Sequence, residues 1–257
     1  MSRIVCLRSL THYLKAEGDC DLRHSIVEAF QKNVVPSLRL GACVALVGGS
    51  GGDPELKKLP PVAKVTFFGI ENPSDETPYT YLDLNKLSVV SHGQYDLVLC
   101  SQVLEHVWNL STALQELIRL VNPGGLLWIG VPASNFAHGS PDYYYAGSTP
   151  QSLSLQLEKY GLDLAGSGVV GSKRAYIWRH VFRYWSTEQE LARPVVSSFS
   201  NAFNTTIPAW KRFARSLVSL RSVILLAYDA QTVTDIEFGT ETSVLAKKPV
   251  EFEELNG

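Results

Sequence analysis

The sequence predicts a doubly wound, mostly parallel α/β sheet, and three observations support that class. Short apolar runs alternate with segments of helical periodicity along the first two thirds of the chain. A glycine cluster, Gly48-Gly49-Ser50-Gly51-Gly52, directly follows the first of those runs. Finally, the 38 residues from Tyr95 to Pro132, YDLVLCSQVLEHVWNLSTALQELIRLVNPGGLLWIGVP, spell out strand, loop, helix, turn and strand in one piece. Strands that are apolar throughout, rather than alternating, suit a sheet covered by helices on both faces.

The elements follow in order. Residues 21–40 are expected to be helical, with Leu22, Ile26, Ala29 and Phe30 on one face and Pro36 near the end, packing over the sheet or over the mouth of a site. Ala42 to Val47 is the first strand and leads into the glycine turn; Lys64 to Ile70 is the second, ending at Glu71; Tyr79 to Leu84 is a short third, ending around Asp83. Leu97 to Cys100 is the fourth strand, entered through the polar pair Tyr95-Asp96. In the helix after it, Ser111 or Thr112 is the expected cap, Ala113, Leu114, Leu117, Ile118 and Val121 form the apolar face, and Glu116 and Arg119 are left for solvent. Asn122-Pro123-Gly124-Gly125 is expected to stop that helix before a fifth strand, Leu126 to Val131.

Thr149-Pro150 gives a cap and first helical residue for a helix over Gln151 to Tyr160 that closes at Gly161, and Leu162 to Val170 is the sixth strand. Residues 172–235, rich in aromatic and basic side chains such as Trp178, Arg179, Tyr184 and Trp185, are expected to form an inserted helical cap. Thr242 to Ala246 is a last strand before a disordered tail. The resulting division is an N-terminal helical extension (1–40), a core (41–170), a helical and aromatic insert shaping a substrate pocket (171–240), and a last strand with its tail (241–257).

Composition narrows the function. A chain of 257 residues, 45% hydrophobic and 19% charged, can bury a full core, and its formal charge of -2 gives no electrostatic case for nucleic acid. Arg3, Arg8 and Lys15 interrupt the apolar residues at the start, unlike a signal peptide, and runs such as Val223 to Tyr228 are too short to span a bilayer. Cys6, Cys20, Cys43 and Cys100 lack metal-like spacing, which points to reduced thiols in a cytoplasmic protein; no His/Asp/Glu cluster has metal spacing either. The acceptor-type sequons at Asn109 and Asn204 matter only in a secreted chain.

A nucleoside site needs backbone that a ligand can approach closely and a carboxylate for ribose hydroxyls at the end of the second strand, roughly 20 residues on. Gly48, Gly49, Ser50 and Gly52 with Glu71 answer that need, the alternative being a solvent turn and a loop cap. Pro54 stands where a nicotinamide-cofactor fingerprint has its third glycine, which argues against NAD. Glu105 and His106 follow the fourth strand, at the edge where open α/β sheets bind ligands; His106 is a candidate base. After the fifth strand, His138, Asp142 and Tyr143 lie in a polar, aromatic loop suited to stacking a ring and supplying a base. Each of these also has a structural alternative as a loop cap or hydrogen-bonded lid.

LVLCSQVLEHV followed by LVNPGGLLWIGVP closely resembles the fourth strand, helix and fifth strand of class I S-adenosylmethionine-dependent methyltransferases, notably the small-molecule enzymes with a VLEHV loop. That resemblance implies a seven-stranded Rossmann-like sheet whose seventh strand enters antiparallel between the fifth and sixth, with S-adenosylmethionine as cofactor. It further implies that Glu71 holds the ribose, that Asp83 and Leu84 flank the adenine, and that Ser101 with Gln102 line the methionine end. The chain departs from the family's first motif, placing Leu46 at its acidic position and Ser50 between Gly48 and Gly52. The stretch His138-Gly-Ser-Pro141-Asp142-Tyr143-Tyr144-Tyr145 looks like a loop of methyltransferases from glycan biosynthesis. The expected function is methyl transfer to a hydroxyl or amine of a small molecule such as a sugar or glycan precursor, with His138 or His106 as base and Asp142 and Tyr143 on the substrate. A catalytically silent binding or scaffold protein is the alternative, motivated by Leu46 and Ser50; an NAD-dependent oxidoreductase is disfavoured.

Overall fold

A computed structural model describes residues 26–72, 78–88, 93–133, 142–170 and 241–251. These belong to a unit made of Leu22–Gly171 and Gly239–Gly257. The expected insert over 172–235 and the polar tail from 252 lie outside the described residues.

Among the described residues seven strands form one sheet: β1 Cys43–Val47, β2 Lys64–Gly69, β3 Tyr79–Tyr81, β4 Tyr95–Ser101, β5 Val121–Pro132, β6 Asp163–Val170 and β7 Glu241–Lys247. Their order is β3-β2-β1-β4-β5-β7-β6. The strands from β3 to β5 pair in parallel, and β7 runs antiparallel to both β5 and β6. This is the predicted Rossmann-like sheet, with the expected late strand between the fifth and sixth.

Two apolar layers explain the uninterrupted hydrophobic runs. Ala45, Val47, Val98, Cys100, Leu127 and Ile129 point to a face covered by the helices α2 (Leu110–Leu120) and α3 (Pro150–Lys159). Their neighbours Val44, Leu46, Leu97, Leu99 and Trp128 point the other way, under Ile26, Phe30 and Val34. Those three come from a helix whose described part spans 26–33 (α1) and the turn after it. Phe30 meets Trp128 edge to face at 5.7 Å. Pro36 falls in a short 3₁₀ turn, Val35–Ser37, that ends the segment.

Several local expectations change. The cap of α2 is Asn109, whose side chain accepts from Thr112 N at 3.3 Å, rather than Ser111 or Thr112. Starting the helix two residues earlier gives Leu110 a place against the core. Glu116, expected in solvent, is 1% exposed: the loop after β3 covers that face, and Ser88 Oγ donates to Glu116 Oε2 while Arg119 pairs with Oε1 at 2.8 Å. The Asn122-Pro-Gly-Gly turn ends α2 without separating it from β5, which begins at Val121. Tyr95 pairs with Val121 and Leu97 with Leu126, so the turn bulges out of the strand. Gly124, at φ 79°, donates its N–H to the Lys248 carbonyl at 2.8 Å. Lys248 is itself buried, and its ammonium donates to the carbonyls of Ile118 and Val121 at 3.1 Å, capping α2 with a positive charge. At α3 the expected cap holds, with Thr149 Oγ1 accepting from Ser152 N at 3.2 Å.

Candidate active site

Parallel register brings the strand ends to one edge. Val47 is level with Phe68 of β2 and with Cys100 of β4. Gly48, Glu71, Asp83 and Ser101 therefore leave the sheet side by side at its carboxyl edge, the ligand edge of open α/β sheets.

Gly48 sits at φ 71° and donates its N–H to the Phe68 carbonyl at 2.7 Å. A Cβ there would stand 2.5 Å from Val103 Cγ2, so the glycine lets the β1 loop lie directly on the loop after β4. A Cβ on Gly49 would collide with Asp53 Oδ2 and with Leu46. Leu46 is 1% exposed and belongs to the core under α1. A carboxylate does reach the loop, from its far side: Asp53 Oδ2 accepts from Ser50 N at 3.3 Å and Asp53 N donates to the Ser50 carbonyl at 3.0 Å. Sequence reasoning passed over Asp53; its signal is an acid three residues after a serine, the spacing of a side chain closing its own turn. Gly52 N donates to Ser50 Oγ at 3.4 Å.

Glu71 is exposed just past β2. Asp83 accepts from Asn85 N at 3.0 Å and pairs with Lys86 at 2.9 Å. The Lys86 hydrogen bond is the main reason its carboxyl lies below the usual range, so it is ionised at neutral pH. The Leu84 side chain is buried in the core, leaving its backbone for the edge. Tyr79 OH donates to the Gly69 carbonyl at 2.6 Å, pinning β3 to the end of β2.

At the end of β4, Ser101 Oγ is buried and has no hydrogen-bond partner among the described residues. Gln102 takes the left-handed conformation at φ 58°, and its N–H bonds to the Gly130 carbonyl at 2.8 Å. A non-glycine residue held there stores roughly 1–2 kcal/mol of strain, a cost found where a fold aims a side chain. The 3₁₀ turn Leu104–His106 follows. Glu105 is 2% exposed, and its carbonyl accepts from Tyr144 N at 2.8 Å and Tyr145 N at 3.3 Å. Burial, then the neighbouring Glu105 carboxylate, pushes the Cys100 thiol far above its ordinary range.

His106 Nδ1 lies 2.5 Å from the Asp142 carbonyl oxygen, and the His106 and Tyr143 rings meet at 5.8 Å. Tyr145 OH donates to the Trp108 carbonyl at 2.9 Å. The loops after β4 and β5 are thus tied together, bringing His106, Asp142 and Tyr143 into one cluster. Asp142 offers His106 its backbone oxygen, while its carboxylate accepts from Tyr144 OH at 3.3 Å. Trp108, which sequence reasoning left aside, is 57% exposed beside this cluster. His138 lies outside the described residues. A cavity of about 250 Å³ opens beneath the joined loops, lined by Leu104, Glu105, Val131, Tyr145, Ser152 and Gln156 among others. Among the described residues no His/Cys/Asp/Glu group could hold a metal ion.

This edge fits a nucleoside with a positively charged side chain. Gly48 and Gly49 carry no side chain over the β1 loop, an ionised Asp83 and an exposed Glu71 supply acceptors, and the unpaired Ser101 hydroxyl lies at the far end. The comparisons with known proteins bear on one stretch of sequence and on the fold. A methyltransferase domain family matches residues 70–129. An uncharacterised methyltransferase of Schizosaccharomyces pombe is 28% identical over 107 residues, covering 37% of this chain and 37% of that protein. The chain thus spans well under half of that relative's length. A methyltransferase structure from Archaeoglobus fulgidus, described as S-adenosylmethionine-dependent, superposes with a TM-score of 0.52 at 15% identity, covering 88% of this chain and 94% of that one. The [4+2]-cyclase SpnF superposes equally well, TM-score 0.52 at 14% identity over 88% of this chain and 80% of its own. At such identities the likeness is one of fold, and the sequence match across β4, α2 and most of β5 adds a resemblance to methyltransferase domains. Over residues 70–129 in sequence, and over its whole sheet in fold, the chain is similar to S-adenosylmethionine-dependent methyltransferases.

Proposed function

We propose that the chain transfers the methyl group of S-adenosylmethionine to a hydroxyl or amine of a small molecule, a sugar or glycan precursor being the favoured class. The observation that supports this reading is the state of His106. A carbonyl oxygen can only accept, so Nδ1 donates in its contact with Asp142, which makes Nε2 the ring nitrogen for proton exchange. An imidazole oriented in that way is suited to taking a proton from an attacking hydroxyl through Nε2.

The cofactor supplies an electrophilic methyl on a sulfonium, so activation of the carbon is built into it. The protein's share is placement. The β1 loop, with Gly48, Gly49, Ser50 and Gly52, lies against the backbone of the bound molecule. Glu71 accepts from its ribose hydroxyls, Asp83 and the Leu84 backbone border its base, and Ser101 and Gln102 border its methionine end. Holding an acceptor oxygen in line with the methyl contributes up to roughly 7–11 kcal/mol in favourable cases. His106 Nε2, or His138, receives the hydroxyl proton as the new bond to carbon forms, and Asp142 and Tyr143 border the acceptor. The division into extension, core, insert and tail belongs to the same reading. Free thiols at Cys43 and Cys100 suit a cytoplasmic setting, and among the described residues no helix is long and apolar enough to cross a membrane.

The test pairs binding with turnover. His106→Ala and His138→Ala are each measured by calorimetry with S-adenosylhomocysteine and by methyl transfer against a panel of sugars and glycan precursors. The expected outcome is a fall in turnover of about 10²–10⁴-fold for the base, with cofactor affinity changed little. Wild-type protein that binds no S-adenosylhomocysteine would overturn the reading in favour of a silent binding protein.

A further inference from the structure

A row of small residues crosses the sheet at its carboxyl end. Ser101 of β4 pairs with Gly130 of β5, Gly130 with Ser243 of β7, and Ser243 with Gly168 of β6. Directly paired residues share a face, and Trp128, two residues before Gly130, lies under α1. The row therefore runs along the α1 side. Over its outer half there is a cavity of about 230 Å³, lined by Ala29, Asn33, Trp128, Gly166, Gly168 and Ser243 among others.

Three features set this cavity apart from an unfilled seam. Among the described residues a Cβ on Gly166 or Gly168 would meet nothing within 4 Å, so two glycines in a strand leave bare backbone facing the cavity. Glycine inside a strand marks a bulge or a close approach by a ligand or another backbone; Gly166 adjoins the register shift after Leu164, whereas Gly168 sits in regular pairing with Ser243. Ser243 is 6% exposed, lines the cavity, and its hydroxyl has no hydrogen-bond partner among the described residues. Trp128, 3% exposed, also lines the cavity and has an indole N–H without a partner among the described residues. A buried polar group left in this state destabilises the fold, and a ligand hydroxyl would satisfy it.

The lining also selects chemistry. Its described residues include no acidic or basic side chain, so among them an ammonium or a phosphate would enter with its charge uncompensated. An indole N–H requires an acceptor, and a serine hydroxyl takes either role. Both demands are met by neutral hydroxyl groups. The volume is below the roughly 300–1,000 Å³ of drug-sized pockets and suits a single ring. Strands lie about 4.8 Å apart, so Ser243, two strands from Ser101, is about 10 Å from it. A ring seated over Ser243 can reach back toward the methionine end with one substituent.

We propose that this trough is the acceptor subsite and that it takes an uncharged, polyhydroxylated ring such as a monosaccharide unit. The proposal rests on the methyltransferase reading for the word acceptor. The test uses the full chain with S-adenosylhomocysteine, first titrated by calorimetry. Saturation-transfer NMR then follows D-glucose, D-galactose and N-acetyl-D-glucosamine, with glucose 6-phosphate and glucosamine as charged counterparts. At least one neutral sugar should respond and the charged ones should not. Gly168→Val, which fills open space with a strand-favouring side chain, should abolish the response, and Ser243→Ala should weaken it about three- to tenfold. Both variants should bind S-adenosylhomocysteine like wild type; if Gly168→Val does not fold, Ser243→Ala carries the test. Silence from every neutral sugar, an equal response from the charged ones, or unchanged binding in the variants would overturn the proposal while leaving the methyltransferase reading intact. Failure of wild type to bind S-adenosylhomocysteine would instead remove that reading, and a sugar response under those conditions would overturn the acceptor role.

Discussion

Asp53 is the side chain that closes the glycine loop. With Leu46 committed to the core, the β1 loop has no acid on its N-terminal side, and the Asp53 carboxylate holds the Ser50 N–H from the other. Asp53→Ala should weaken S-adenosylhomocysteine binding about three- to tenfold, the worth of one hydrogen bond of about 0.5–1.5 kcal/mol, whereas Asp53→Asn keeps an acceptor oxygen and should largely restore it. Calorimetry decides; equal affinity for all three proteins would remove Asp53 from the support of the loop. Leu46 was legible in the sequence as a departure from pattern. Asp53 was not, because its role depends on the path of the turn.

Among the elements, α2 depends on contacts made at its ends. Asn109 caps its first turn and Lys248 neutralises its last carbonyls. Asn109→Ala should cost about 1 kcal/mol, measurable as a lower urea midpoint at unchanged slope. Asp96 ties β4 to its neighbours, accepting from Cys43 N at 2.9 Å, Asn122 Nδ2 at 3.0 Å and Arg39 at 3.2 Å. Burial works against its charge, but those hydrogen bonds together outweigh it and hold the carboxyl below its usual range. The sign follows from that depression. The unfolded chain takes up the proton first, so the contribution is complete above the unfolded pKa of about 3.9 and is lost as pH falls through the lower folded value. The stability gap between wild type and Asp96→Asn should therefore be widest near neutrality and close below about pH 4, as measured by denaturation at stepped pH; a gap constant with pH would refute the assignment. The strand and helix periods announced β1 to β6, α2 and α3. Neither the Asn109 cap nor the buried Glu116 could be seen, since both depend on the loop after β3, which supplies Asn85 and Ser88.

At the scale of the whole molecule, a cofactor bound only by the folded state must stabilise it. S-adenosylhomocysteine at a hundred times its Kd should add about 2.7 kcal/mol, and at about 2–4 °C per kcal/mol for a chain of this size the melting temperature should rise by roughly 5–10 °C. An unmoved melting curve would contradict cofactor binding at the sheet edge. The sequence by itself determined the α/β class, the strand succession and the methyltransferase-like stretch from β4 to β5, because apolar periodicity, glycine turns and the words of that stretch are local properties. Only the tertiary structure decided which residues meet: His106 with Asp142 across 36 positions, Lys248 with Ile118 across 130, and Ser101 in one row with Ser243 and Gly168. The physical reason is that strand order and register, which bring distant residues onto one face, are set by packing over the entire sheet and are encoded in no single stretch of the chain.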